Sequence, residues 1–165
     1  MNLNQKNGRL TPAKILLKIP VPWVFVLGYL LMLPFQLLYP FNVFKSDELL
    51  YIKIAGVVLF AIGVVFASWS LLIFHKARTT TTPGESSKLL VDRGPYSYSR
   101  NPMYVSLVLA YLGEAGFLAQ AWPLFALPMV ILYLNWIVIP LEEEILRRDF
   151  KIEYEEYCFR VRRWI

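Results

Sequence analysis

Long uncharged runs alternate with short polar ones along this chain, and the lengths of the runs set the expected architecture. Residues 19 to 41, IPVPWVFVLGYLLMLPFQLLYPF, carry no charge over 23 positions. That exceeds the roughly 20 residues an apolar helix needs to cross the hydrocarbon core of a bilayer. Pro20, Pro22 and Pro40 sit near the ends of the run, whereas Pro34 falls inside it and is expected to kink the helix. A secretory signal would be shorter and followed by a small-residue cleavage site, and the run shows neither feature. Residues 54 to 74, IAGVVLFAIGVVFASWSLLIF, form a second uncharged run, with Lys53 placed to snorkel to the interface. Gly56 and Gly63 within it either admit a close neighbouring helix or are merely tolerated in lipid.

From Pro102 to Pro140 the chain is apolar except around LGEAGFLAQAWP. Those 39 residues are too many for one crossing and suit two antiparallel ones joined by a tight turn. Glu114 then reads as a helix-end carboxylate in contact with water, in preference to a buried proton acceptor. The expected fold is all-α: an integral membrane four-helix bundle in a single domain over residues 1–165, with spans at about 19–41, 52–75, 102–119 and 121–141. A tail helix over about 142–161 should follow, because Leu146, Phe150, Tyr154, Tyr157 and Val161 recur at helical spacing along one face. This amphipathic helix would lie at the membrane surface or fold back over the bundle.

Charge then orients the spans. Of the 17 lysines and arginines, four precede the first run, two follow it, five lie between residues 76 and 100, none lies in the 113–122 turn and six lie in the tail. That alternation predicts a multi-pass protein with both termini and the long loop in the cytoplasm. The formal net charge of +5 is accounted for by topology, so nucleic-acid binding is not expected. With 57% hydrophobic residues the composition also points to a membrane protein. A lone Cys158 and a lone His75 exclude an internal disulfide and make a protein-built metal site unexpected.

The unusual polar residues all fall on the predicted cytoplasmic side. Asn101 followed by Pro102 is a helix-start pattern, in which asparagine caps free amides and proline occupies the first helical position. Amides of that helix start, with Arg100 beside them, would attract a carboxylate or phosphate; Arg100 balancing lipid headgroups is the plainer alternative. Glu142, Glu143 and Glu144 follow the last span directly. Successive helical positions turn by about 100°, so at most one or two of the three can face a common pocket. A carboxylate there could accept from hydroxyl or amino groups of a ligand, or the three could form a solvated helix turn. Neither GxGxxG nor GxxxxGK[ST] occurs, so no Rossmann site or P-loop is expected.

The string KLLVDRGPYSYSRNPMY, the apolar hairpin after it, and EEEILRRDFKIEYEEY together resemble the isoprenylcysteine carboxyl methyltransferase and phospholipid methyltransferase superfamily. The resemblance covers roughly residues 79 to 165. It implies an integral membrane enzyme that takes a methyl group from S-adenosylmethionine without a Rossmann fold and gives it to a lipophilic, membrane-embedded acceptor. By that resemblance Lys88, Leu89, Leu90 and Val91 would line the adenine side, partly through backbone groups. Tyr96 would pack against the cofactor. Asn101, Pro102, Met103 and Tyr104 would contact its amino acid moiety, and Glu142, the first glutamate of the pair, would also contact the cofactor. Arg100 and Glu143 are the expected catalytic pair. Transfer by direct displacement asks mainly for alignment, so no metal or nucleophilic triad is implied.

Asn101 stands where the isoprenylcysteine enzymes commonly have histidine. Val138, four residues before Glu142, stands where the eukaryotic ones place a substrate-contacting arginine. NPMY and YLG at 111 to 113 look more like phosphatidylethanolamine methyltransferases. The expected acceptor is a prenylated thiol-bearing carboxylate, as for the isoprenylcysteine enzymes, with a phospholipid amine or another amphiphile as the alternatives. A nicotinamide-dependent sterol-type membrane reductase, whose chains resemble this superfamily near their C-termini but carry more spans, and a non-catalytic membrane scaffold are the rival classes.

Overall fold

The computed structural model describes residues 20–40, 46–77 and 89–165, and among these the regular structure is entirely helical. Helix α1 spans Val21–Leu38 and α2 spans Leu49–Ala77. A single 3-10 turn, Gly94–Ser97, precedes α3, Pro102–Phe117. Helix α4, Trp122–Tyr133, runs through a π-helical stretch at Leu134–Val138 into α5, Ile139–Phe150, and α6 covers Ile152–Arg160. Among the described residues three helical segments are long and apolar enough to cross a membrane: Val21–Leu38, Leu49–Lys76 and Trp122–Phe150. Their outward faces are apolar, with Val57, Val58, Val65, Leu72 and Met129 all exposed. So extensive an apolar surface fits a bilayer and not water; this is a membrane protein.

The closest helix contact is between α2 and α3, which run antiparallel. A Cβ added to Gly63 would lie 2.8 Å from backbone atoms of both Ser106 and Ala110. One added to Gly113 would lie 2.7 Å from the Gly56 carbonyl oxygen, and one on Gly56 would collide with the backbone of Phe117. Of the two readings of Gly56 and Gly63, close approach holds. Between lipid-bathed helices there is little hydrophobic drive, so such backbone-to-backbone packing supplies much of the association.

Helix α1 lies antiparallel to α4, with Gly28 against Ala126 and Val130. At one end of this pair the indole Nε1–H of Trp122 donates to the Tyr39 carbonyl (2.7 Å), and the Tyr29 hydroxyl donates to Gln120 Oε1 (2.8 Å). The core between the helices is built on Phe25, Tyr111, Leu134, Val138 and Ile139. Pro140 has no amide hydrogen and its ring would crowd the carbonyl four residues back. The wider π turn immediately before it absorbs that conflict, and by inserting a residue it re-aims every side chain downstream.

Two expectations require correction. The helix that carries the last span does not stop near residue 141 but continues unbroken to Phe150. The tail is not one helix over 142–161: Lys151, at φ 47° and ψ −117°, breaks it into α5 and α6. The apolar face survives the break, since Leu146, Phe150, Tyr154, Tyr157 and Val161 still meet in one cluster with Leu90 and Cys158. The chain folds back onto the loop before α3, and that burial offsets a left-handed backbone at a non-glycine residue, which costs on the order of 1–3 kcal/mol.

Candidate functional site

One end of the bundle gathers four pieces of chain: the loop 89–101, the first turn of α3, the α5 segment carrying the glutamates, and the segment 161–165 that follows α6. The 3-10 turn opens on Gly94, whose φ of +65° suits glycine. The turn delivers Pro95 and Tyr96 into the interior. The Tyr96 ring meets Phe74 edge-on, at 5.0 Å between centroids. Its backbone carbonyl accepts a 2.7 Å hydrogen bond from the Tyr157 hydroxyl, which pins α6 to the loop.

Tyr104, two residues into α3, is buried and donates its hydroxyl to Glu142 Oε1 at 2.6 Å. This contact joins residues 38 positions apart and puts the entrance of α3 and the exit of the last span on one side of the bundle. The Tyr96 hydroxyl is buried with no hydrogen-bond partner. Burial foremost, and then the neighbouring Tyr157 and Glu142, push its pKa well above the ordinary phenol value. A neutral phenol with an unused donor therefore lies within electrostatic reach of the same carboxylate.

Glu143 points elsewhere, as the turn between consecutive helical residues requires. It is 4% exposed, and arginines converge on it. Arg163 grips it with both Nε (3.1 Å) and Nη2 (2.7 Å), Arg100 Nη2 lies 3.1 Å away and Arg147 Nη2 3.8 Å away. Donating to Glu143 holds the Arg163 guanidinium above its ordinary pKa. Glu144 is exposed.

Asn101 is not the side-chain cap that its place before Pro102 suggests. Its Nδ2 donates to the Arg163 carbonyl at 2.9 Å, and no side-chain cap is formed. The amides of Tyr104 and Val105 are taken up by the backbone carbonyl of Asn101 itself (3.0 and 3.1 Å), and Pro102 has no amide to offer. The α3 start therefore presents less free backbone for an anion than its sequence implied.

Of the other expected residues, Val91 is buried, Leu90 packs into the tail cluster, Leu89 is half exposed and Met103 half-buried. Lys88 lies outside the described residues. Tyr96, Tyr104 and Glu142 come together, while Arg100 and Glu143 pair with each other a little apart from them.

Sequence reasoning missed Asn135, Arg163 and Trp164. Asn135 Oδ1 accepts from Arg163 Nη1 (3.3 Å) and from Trp164 Nε1 (3.2 Å). A signal for it existed: a lone amide in the apolar run YLNWIVIP is expensive in lipid and marks a specific partner.

A family model described as phospholipid methyltransferase matches residues 51–153. Comparison with curated proteins and with solved structures finds no match. The matched region runs from α2 into the start of α6 and contains the loop, the α3 entrance and both paired glutamates, leaving α1 and the segment 161–165 outside. Since it takes in well over half of the sequence, the protein belongs to the phospholipid methyltransferase family, a family of membrane methyltransferases.

Proposed function

We propose that the protein is an S-adenosylmethionine-dependent methyltransferase that binds its cofactor where α3 begins and the last span ends, and takes a lipophilic acceptor from the bilayer. The observation that carries this reading is the 2.6 Å hydrogen bond between Tyr104 and Glu142, which unites two of the family-matched segments at a single point. A buried polar atom without a partner, the Tyr96 hydroxyl, supports the same place. Such an atom costs about 1–3 kcal/mol while unpaired, and a small polar ligand beside Glu142 would satisfy it. The residues present thus fit the cofactor.

The cofactor would supply an electrophilic methyl group on a sulfonium sulfur. Glu142, oriented by the Tyr104 hydroxyl, would accept from its ammonium or hydroxyl groups. Tyr96 would donate its unused hydrogen bond. Leu90 and Val91, with Lys88 and Leu89, would flank the adenine, and the 101–104 segment the amino acid part. Arg100 and Glu143 would act on catalysis by holding the α3 entrance against α5. These residues need only fix alignment and exclude water.

Four crossings with the site in the cytoplasm complete the proposal. Helix α3 has 16 residues, about 24 Å long and short of the roughly 30 Å hydrocarbon core, but its close antiparallel pairing with α2 supports a hairpin crossing. The distribution of basic residues supports the orientation.

Among acceptors, a phospholipid amine is the reading favoured by the family match and by Val138. That residue is 1% exposed in the apolar core and offers no cation to a substrate carboxylate. A prenylcysteine carboxylate is the second reading, supported by the shared loop and glutamate motifs. Calorimetric titration with S-adenosylmethionine and, separately, NADPH, using Glu142→Ala and Tyr104→Ala as controls, tests the cofactor. Transfer of a labelled methyl group to phosphatidylethanolamine or to a prenylcysteine tests the acceptor. Folded wild-type protein that binds no S-adenosylmethionine would overturn the proposal.

A further inference from the structure

Segment 161–165, which the family match does not reach, is laced across the site by both its backbone and its side chains. The Arg162 carbonyl accepts from the Arg100 amide at 2.9 Å. The Arg163 carbonyl accepts from Asn101 Nδ2 at 2.9 Å and from the Ser99 hydroxyl at 3.3 Å. These bonds fasten the segment to the three residues that lead into α3. On its other side the Arg163 guanidinium holds Glu143 with two donors and Asn135 with a third. Trp164 packs against the main core and bonds Asn135 as well. One residue, Arg163, therefore ties the α3 entrance to α5 and to the π-helical stretch.

Because Glu142 and Glu143 are adjacent on one rigid helix, fixing the direction of Glu143 fixes that of Glu142, about 100° away. The α3 entrance, fixed by the same arginine, carries Tyr104. We propose that Arg163 is a positioning residue for the cofactor site: its backbone carbonyl and planar fork together set the rotation at which Glu142 meets Tyr104. The inference rests on the methyltransferase reading above. Lysine cannot replace the fork, since an ammonium gives a point contact in place of two parallel donors. Alanine leaves no carboxylate unpaired, because Arg100 remains on Glu143.

The test uses the full chain, comparing wild type with Arg163→Ala, Arg163→Lys and the control Arg160→Ala, which loses only an exposed pair with Asp92. Hydrogen exchange of residues 99–104 is followed without cofactor, and S-adenosylmethionine affinity is measured by calorimetry. Arg163→Ala is expected to speed exchange in that segment and weaken binding about tenfold, the scale of one lost charge-assisted hydrogen bond. Arg163→Lys should fall between it and wild type, and Arg160→Ala should match wild type. Wild-type affinity in Arg163→Ala, with or without faster exchange, would overturn the proposal, and so would an equal loss in Arg160→Ala. Should the alanine variant not fold, wild-type affinity in Arg163→Lys overturns it. No binding by the wild type sinks the methyltransferase reading itself and this inference with it, so the wild-type arm distinguishes the two failures.

Discussion

Replacing Glu143 by alanine removes the carboxylate on which Arg100, Arg147 and Arg163 converge, and the size of the effect follows from how buried each partner is. Arg147, 49% exposed and 3.8 Å away, belongs with surface pairs worth about 0–1 kcal/mol. Arg100 and Arg163 are 13% and 31% exposed beside a carboxylate that is 5% exposed. Breaking a buried pair of this kind by removing one partner costs about 3–5 kcal/mol. Arg163 can turn partly to water, so the lower end applies, about 3 kcal/mol. For a chain of this length each kcal/mol moves the melting temperature by about 2–4 °C, giving a drop of roughly 6–12 °C. Thermal unfolding in one fixed detergent, followed by tryptophan fluorescence, measures it. Glu143→Gln keeps an acceptor and should lose about half as much. Glu144→Ala, exposed and adjacent, should stay within about 0.5 kcal/mol of wild type. If Glu143→Ala melts within about 2 °C of wild type, the three arginines are not stabilised by that carboxylate and the clamp is refuted.

Tyr96→Phe deletes a buried hydroxyl that has no partner. It is expected to raise the stability of the ligand-free protein by about 1 kcal/mol while weakening S-adenosylmethionine binding several-fold in calorimetry; lower stability with unchanged binding would contradict the role given to that hydroxyl. Gly113→Ala places a Cβ 2.7 Å from the Gly56 carbonyl oxygen, where only backbone could yield, whereas Gly116→Ala meets the Gly56 Cα at 3.2 Å. The first should destabilise by about 1–3 kcal/mol and the second by clearly less, as ranked by thermal melts; the reverse order would refute the packing of α2 on α3.

The parts legible in the sequence are those that local physics determines. Run length located α1, α2 and the α3–α4 hairpin, because a bilayer demands long uncharged helices. Charge alternation placed the loop and the glutamates on one side, and that sufficed to bring Tyr104 near Glu142. The break at Lys151 was not legible, since the spacing of Leu146, Phe150, Tyr154, Tyr157 and Val161 passes through it unchanged. Those residues reach the same cluster either along one helix or around a bend, and only the loop they pack against decides between the two.

The side chain of Asn101 shows the limit most clearly. Its place before Pro102 correctly marks the start of α3, and a local pattern can say no more than that. Capping offered little, because Pro102 has no amide and the carbonyl of Asn101 already serves Tyr104 and Val105. The Arg163 carbonyl, 62 residues downstream, is held in place by Glu143, Asn135 and the core packing of Trp164. An acceptor fixed by independent contacts costs little further ordering entropy to engage. The long-range partner therefore outcompetes the local cap.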